Sequence, residues 1–334
     1  MTTGDHLKTS AALFLSALSL ASPHPASAAQ KRHAATAAWG WGPAAAGDRI
    51  HQQLPERRSQ EPSSQPLRRP WLDTDGQPLP FRTEEALLEF LGSAEIVSTK
   101  NVSGGITNIK RVLLKKNGLN INAAFRDVDE RRTVKEFGNG TRQPFFRDQA
   151  VFECAAYTLD RLLGLGRVPP VVERKIGKQQ GSLQFWLEGT ITEGTRKREG
   201  RAPPDQQRWN KQIRMMTIFD RLIANSDRNL GNMLIDQGWR IWLIDHTRAF
   251  RPTSSIGNME GITRIERGLW SGLQGLDDDA IKEELGRFLT KREMHSLLKR
   301  KQKLIDHFQK LIDQRGEDAV LYSLPEETSI SQRH

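Results

Sequence analysis

Cysteine is almost absent: Cys154 is the only one in 334 residues. No intrachain disulfide can form, and zinc modules of the Cys/His kind are excluded by the same count. Long apolar runs are lacking too. One reaches only from Ala11 to Ser22, well short of the roughly 20 residues a membrane-spanning helix needs. Aromatic residues make up 7% of the chain, and none forms a stacking motif of the kind that reads single-stranded nucleic acid. What is present is an ordinary globular mixture, 37% hydrophobic and 27% charged. Such a length buries a core without staples and suits about two domains or one two-lobed domain. Lys and Arg total 50 against 40 Asp and Glu, a net +10. That surplus favours acidic partners such as nucleotides, nucleic acid or anionic surfaces without choosing among them.

Residues 1–28 read as an export signal. A polar stretch with Lys8 precedes the short apolar run, and Ala26-Ser27-Ala28 supplies a small-x-small cleavage pattern. This places the protein outside the cytoplasm, in a periplasm, a secretory lumen or the medium. Residues 29–80 hold seven of the 16 prolines, interleaved with Ser, Gln and Arg, and read as a disordered linker. The folded part then divides into a β-rich region, 81–188, and a helical region, 189–325, before a short disordered tail, 326–334.

Within the first region, Thr83 caps a short helix over 84–91. Strands are expected over 95–102, 106–114 and 119–126, the last two joined at Asn117-Gly118, a strong hairpin signal. A charged loop follows to about Phe146. Residues 147–163 then repeat apolar side chains at helical spacing, with Gly164 and Gly166 as the stop. A second hairpin spans 168–187 around Gly177–Gly181. Beyond it the pattern is helical over 206–224, 279–288 and 291–315. The last of these is basic and amphipathic, with Met294, Leu297, Leu298, Leu304, Phe308 and Leu311 on its apolar side. Such a helix suits a membrane surface or nucleic acid, and packing on the helical lobe is the simpler expectation. The chain is expected to be monomeric, with no membrane span.

The chemistry concentrates in residues 223–250. Asp227 and Asn232 sit on a loop after a helix. Residues 233–235 read as a short strand, Gly238 as a turn, and 241–244 as the returning strand that delivers Asp245. A hairpin of this kind brings Asp227, Asn232 and Asp245 towards one point. Asn amide and Asp carboxylate oxygens suit Mg²⁺ or Mn²⁺ screening a triphosphate such as ATP. A further carboxylate can orient an attacking hydroxyl and take its proton. Asp245 and Asn232 are thus the candidate metal ligands and Asp227 the candidate base. Taken singly, each is also an ordinary turn former. Asp245 stands out because it ends an apolar run, where a bare carboxylate is costly without a cation.

Asp227-Arg228-Asn229-Leu230-Gly231-Asn232 resembles the catalytic loop of the protein-kinase-like superfamily, in the form found in phosphatidylinositol kinases. Leu243-Ile244-Asp245 resembles its metal-binding segment. Glu153 through Gly164, followed by Arg167-Val168-Pro169-Pro170, is similar to the secretory-pathway kinases, which include the Golgi casein kinase and the proteoglycan xylose kinase. The resemblance implies a two-lobed α+β kinase fold: a small β-rich lobe with one helix and a larger helical lobe. It also implies ATP between the lobes and transfer to a hydroxyl-bearing acceptor. In that family the helix glutamate, here Glu153, pairs with a strand lysine that grips the α/β-phosphates. This chain has Arg126 at that place. Arginine keeps the charge, but its planar head changes the geometry. Lys110, Lys115 and Lys116 are the other strand cations that would serve. Gly104 and Gly105 stand where a phosphate-covering turn is expected, and also suit a plain hairpin turn. A catalytically impaired relative that binds nucleotide or a partner is the alternative reading, and a basic nucleic-acid binder a weaker one.

Three neighbours have milder expectations. Asp220 is expected to anchor helix to loop, His246 to stabilise a turn, and Trp186 to lie in the core rather than line an adenine pocket.

Overall fold

The computed structural model describes residues 71–102 and 109–324. The export and tail segments and the Gly104-Gly105 turn lie outside the described residues. Trp71 to Pro80, at the end of the Pro-rich segment, carry a bridge between Leu72 and Pro78. Trp71 packs against Phe185 and Trp242 with ring centroids 5.2 Å from each.

Helix α1 (Glu84–Ser93) starts at Thr83, whose hydroxyl accepts from Ala86 N. Strands β1 (Glu95–Asn101), β2 (Lys110–Lys116) and β3 (Leu119–Arg126) form an antiparallel meander. Asn117 and Gly118 both have positive φ, 51° and 78°, as a two-residue hairpin turn requires. Strands β4 (Asp129–Glu136) and β5 (Arg142–Gln149) then form a separate hairpin where a charged loop was expected. Almost every β4 residue is solvent-exposed on both faces, so no apolar alternation marks it in the sequence. Helix α2 (Val151–Leu162) follows, and β6 (Val171–Ile176) and β7 (Gln179–Phe185) complete the five-stranded sheet, in the order β1-β2-β3-β7-β6.

The helical part opens with β8 (Ile191–Thr192), α3 (Glu193–Arg198) and α4 (Gln206–Ile223). Strands β9 (Met233–Ile235) and β10 (Ile241–Leu243) make the expected hairpin, which β8 joins. Then come β11 (Ile265–Glu266), α5 (Arg267–Gly275), α6 (Asp278–Leu285), α7 (Lys291–Arg315), α8 (Glu317–Val320) and β12 (Leu321–Tyr322). α7 is the long basic helix. A Thr290/Glu293 capping box starts it, and Met294, Leu297, Leu304, Phe308 and Leu311 are buried against the helical core. No helix among the described residues is long and apolar enough to cross a membrane.

Two cores result. Leu87, Phe90 and Leu91 of α1 pack on Val112, Leu114, Ile121, Phe125 and Leu183 of the sheet. Each such fully buried side chain contributes about 1.5–3 kcal/mol. The apolar face of α2 belongs instead to the lower core: Phe152, Ala155, Ala156 and Leu159 cluster with Phe219, Leu222 and Phe250. α2 therefore sits at the seam, and its polar Glu153 faces the junction of the two parts. Cys154, beside it, is buried.

β3 is held at the same seam by Gly181. A Cβ there would lie 2.0 Å from the Arg126 carbonyl oxygen. Gly181→Ala is expected to destabilise the fold by about 1–3 kcal/mol through this overpacking, and to displace Arg126. Urea titration gives the stability, and a nucleotide-induced melting shift reports the displacement.

Candidate active site

Arg126 ends β3 opposite Ser182 of β7 and is almost fully buried, at 2% exposure. Its Nε lies 3.5 Å from Glu153 Oε1 and 3.9 Å from Asp245 Oδ1. Of the four strand cations named from sequence, this is the one that meets Glu153. Lys110 pairs with Asp127 and Lys116 with Glu89.

Glu153 is wholly buried and bonded on three sides. Beyond Arg126, Oε1 accepts from the His246 main-chain N–H at 3.0 Å and Oε2 contacts His246 Nδ1 at 3.1 Å. Burial alone would raise its pKa. The Arg126 charge and the His246 bonds outweigh that and hold the carboxyl down to about 2. His246 is thus more than a turn residue, because it ties α2 to the strand end that carries Asp245.

That strand end is built locally. Asp236 Oδ1 accepts from Gly238 N and Arg240 N, and Oδ2 takes the Trp242 indole N–H. These bonds fold the β9–β10 turn. The returning strand leads to Asp245, which adopts a left-handed backbone with φ 60°. Its Oδ1 accepts from Thr247 Oγ1 at 3.1 Å. Burial first, then the like charges of Glu153 and Asp227, raise the Asp245 pKa above the usual carboxylate range, with Arg126 opposing.

The loop holding Asp227 and Asn232 leaves α4 through Ala224, left-handed at φ 50°. Asp220 and Arg228 then lock it. Arg228 makes two 3.0 Å bonds to the Asp220 carboxylate. With Nη1 it also donates to the carbonyls of Asn232 and Ile244. Asp220 is therefore the anchor expected. Asn232 N–H bonds the Asn229 carbonyl, and its Nδ2 donates to the Asp227 carbonyl at 2.9 Å. This fixes the amide and leaves Oδ1 without a protein partner. Ile244 N donates to the Asn232 carbonyl at 3.3 Å, joining loop and strand directly. Asp227 is one-third exposed, and its Oδ2 accepts from Arg248 Nη1 at 3.2 Å.

Arg248 is a site residue that sequence reasoning missed. It pairs with Asp227 and, at 3.0 Å, with Asp148 of β5. Its second partner lies a hundred residues away, so no local pattern announces it. Trp186 is half-buried beneath the Arg111 guanidinium at 4.6 Å, not in the core. Among the described residues no cluster of three or more His, Cys, Asp or Glu forms a metal cage. A cavity of about 590 Å³ lies behind α2, between Tyr157, Arg161, Glu173 and Phe288, away from these carboxylates.

A two-part architecture with an ion pair at its seam, an Asp/Asn loop and a strand-end aspartate is a protein-kinase-like fold. Structural comparison agrees. The chain is similar to a hydra Fam20 structure with sugar (TM-score 0.54, 18% identity, covering 71% of this chain and 91% of that one). It is also similar to the Golgi casein kinase (TM-score 0.51, 15% identity, 72% and 78% covered). A structure of that kinase with Mn and ADP bound gives a TM-score of 0.49 at 17% identity, with 73% and 80% covered. No family model matches the sequence, and no curated protein matches it.

Proposed function

We propose that this protein is a metal-dependent phosphotransferase that moves the γ-phosphate of ATP to a hydroxyl acceptor. The observation that carries this reading is the buried Arg126. Its Nε and Nη1 have no hydrogen-bond partner, although Glu153 and Asp245 stand close by. Buried guanidinium donors left open in this way suit a polyanion. The oxygen donors suit a hard cation. Among the described residues neither Asn232 Oδ1 nor Asp245 Oδ2 has a hydrogen-bond partner. Mg²⁺ or Mn²⁺ is commonly held by one or two such groups plus substrate phosphates, so no full protein cage is needed.

In this reading Asn232 and Asp245 hold the metal, which screens phosphate charge when bound. Arg126, set by Glu153, grips the α/β-phosphates. Asp227, steadied by Arg248, orients the acceptor hydroxyl and takes its proton as that oxygen bonds the γ-phosphorus. The bond from the γ-phosphorus to the bridging oxygen breaks, and ADP leaves. One neighbour is a structure with sugar and the other is a casein kinase, and fold alone does not select an acceptor. Export through residues 1–28 would place this chemistry in a lumen or host compartment that supplies nucleotide.

Incubation with labelled ATP and Mg²⁺ or Mn²⁺ tests the proposal. Transfer or hydrolysis that disappears in Asp245→Ala is expected. No turnover, and no difference in that variant, counts against it. A second reading is favoured by the 3.9 Å approach of Arg126 to Asp245, which partly engages the metal carboxylate. A non-catalytic nucleotide binder would follow. Both readings expect stabilisation by ATP and metal of about 2.7 kcal/mol at a hundredfold excess over Kd. Melting shifts without turnover would select the second.

A further inference from the structure

A second cavity with cationic side chains in its lining lies beside the loop. A cavity of about 270 Å³ is lined by Arg221, Asn225, Arg251, Thr253 and Ser255, with Phe145 of the β4–β5 hairpin closing one end. Asp220 also lines it, but its carboxylate is taken by Arg228 and by Asn225 Nδ2. Arg221 lies against Gly257, where a Cβ would meet its Nη1 at 2.1 Å. Among the described residues neither the Arg221 nor the Arg251 guanidinium has a carboxylate partner, and Arg251 Nε is buried with no hydrogen bond. Directly behind stands Arg300 of α7, 0% exposed. It donates to the carbonyls of Leu222, Arg251 and Thr253 and leaves Nη2 unpartnered.

Two half-buried guanidiniums thus line the cavity, with the buried Arg300 behind, and the one carboxylate lining it, Asp220, is already engaged by Arg228 and Asn225. Burial of such groups is costly unless a counter-charge arrives. The strain shows in their acidity: burial and then the Arg251 charge depress Arg300 to about 9, and burial lowers Arg251. Arginine is the side chain best shaped for phosphate oxygens.

We propose that this cavity binds a phosphoryl dianion through Arg221 and Arg251, with Arg300 as the fixed charge behind them. The group arrives in one of two ways. It is free inorganic phosphate, or it is esterified to Thr253 or Ser255. In the second case a nucleoside triphosphate supplies it, the new O–P bond replaces the bond to the leaving diphosphate, and the hydroxyl proton passes to solvent. The site does not depend on the phosphotransfer reading, since binding is measured without turnover.

The test uses the full chain. Its intact mass is measured first, and thermal unfolding then follows in increasing inorganic phosphate against chloride of matched ionic strength at about pH 8, above the second pKa of phosphate, where the dianion predominates. Unmodified protein is expected to show a saturable rise in Tm with phosphate, lost in Arg251→Met and in Arg221→Gln. A protein purified with a phosphoryl group on Thr253 or Ser255 is expected to respond only after phosphatase treatment. Arg251→Met removes a half-buried charge whose Nε is buried with no hydrogen bond, so without phosphate it is expected to melt no lower than the parent. This separates lost binding from lost folding. Unmodified protein that responds equally to phosphate and chloride, or variants that keep the full response, overturns the site.

Discussion

Asp227→Asn is expected to reduce phosphotransfer by about 10²–10⁴-fold, the usual contribution of a positioned general base, with nucleotide binding unchanged. The geometry separates these two effects. The loop is held by main-chain groups of Asp227: its N–H donates to Asn225 Oδ1 and its carbonyl accepts from Asn232 Nδ2. The carboxylate contributes only the contact with Arg248. Asparagine keeps the shape and can offer an oxygen to that arginine, but it cannot take the acceptor proton. The loss should therefore fall on kcat, while the ATP-dependent melting shift persists. Asp245→Asn should behave differently, losing the metal-dependent part of that shift as well. An Asp227→Asn enzyme with full kcat would reduce Asp227 to a turn residue.

Glu153→Gln is expected to destabilise the fold by about 3–5 kcal/mol, because it leaves Arg126 buried beside a neutral group. The same carboxylate makes the protein acid-sensitive. Its pKa is near 4.5 in the unfolded chain and about 2 in the folded one. Between those values the unfolded chain binds more protons, so folding stability falls with falling pH. The contribution is fully present above about pH 4.5 and is lost as pH drops through about 2. Urea midpoints taken from neutral pH downward should fall steeply over this window in the parent and less so in Glu153→Gln. Parallel curves would place the acid sensitivity elsewhere.

The grouping of the candidate residues was more legible in the sequence than the scaffold around it. Asp227, Asn232 and Asp245 lie on one loop and one hairpin, so local turn chemistry is enough to bring them together. Glu153 and Arg126 were readable as a pair only through the resemblance to the kinase family, which pairs a helix glutamate with a strand cation. The contacts that aim these groups were not readable. Arg248 to Asp148, and His246 to Glu153, span a hundred and 93 residues, and no periodicity encodes such distances. Among the elements, β4 was missed because Asp129–Glu136 has a single apolar residue, Val134, itself 42% exposed. Its ladder is supported instead by charge and cation–π contacts, such as Lys135 over Phe146 at 4.1 Å. α5 was missed because three glycines weaken the helical pattern of Arg267–Gly275.

The single guanidinium of Arg228 joins the end of α4, the carbonyl before Met233 and the carbonyl before Asp245. One rigid planar group thereby serves as the common hub of three chain segments. The relative placement of loop and strand is accordingly settled when the polypeptide folds, not at each encounter with a ligand. Little ordering entropy then remains to be lost when a small molecule settles there. In the proposed reading, any movement that accompanies binding falls to the parts outside this hub.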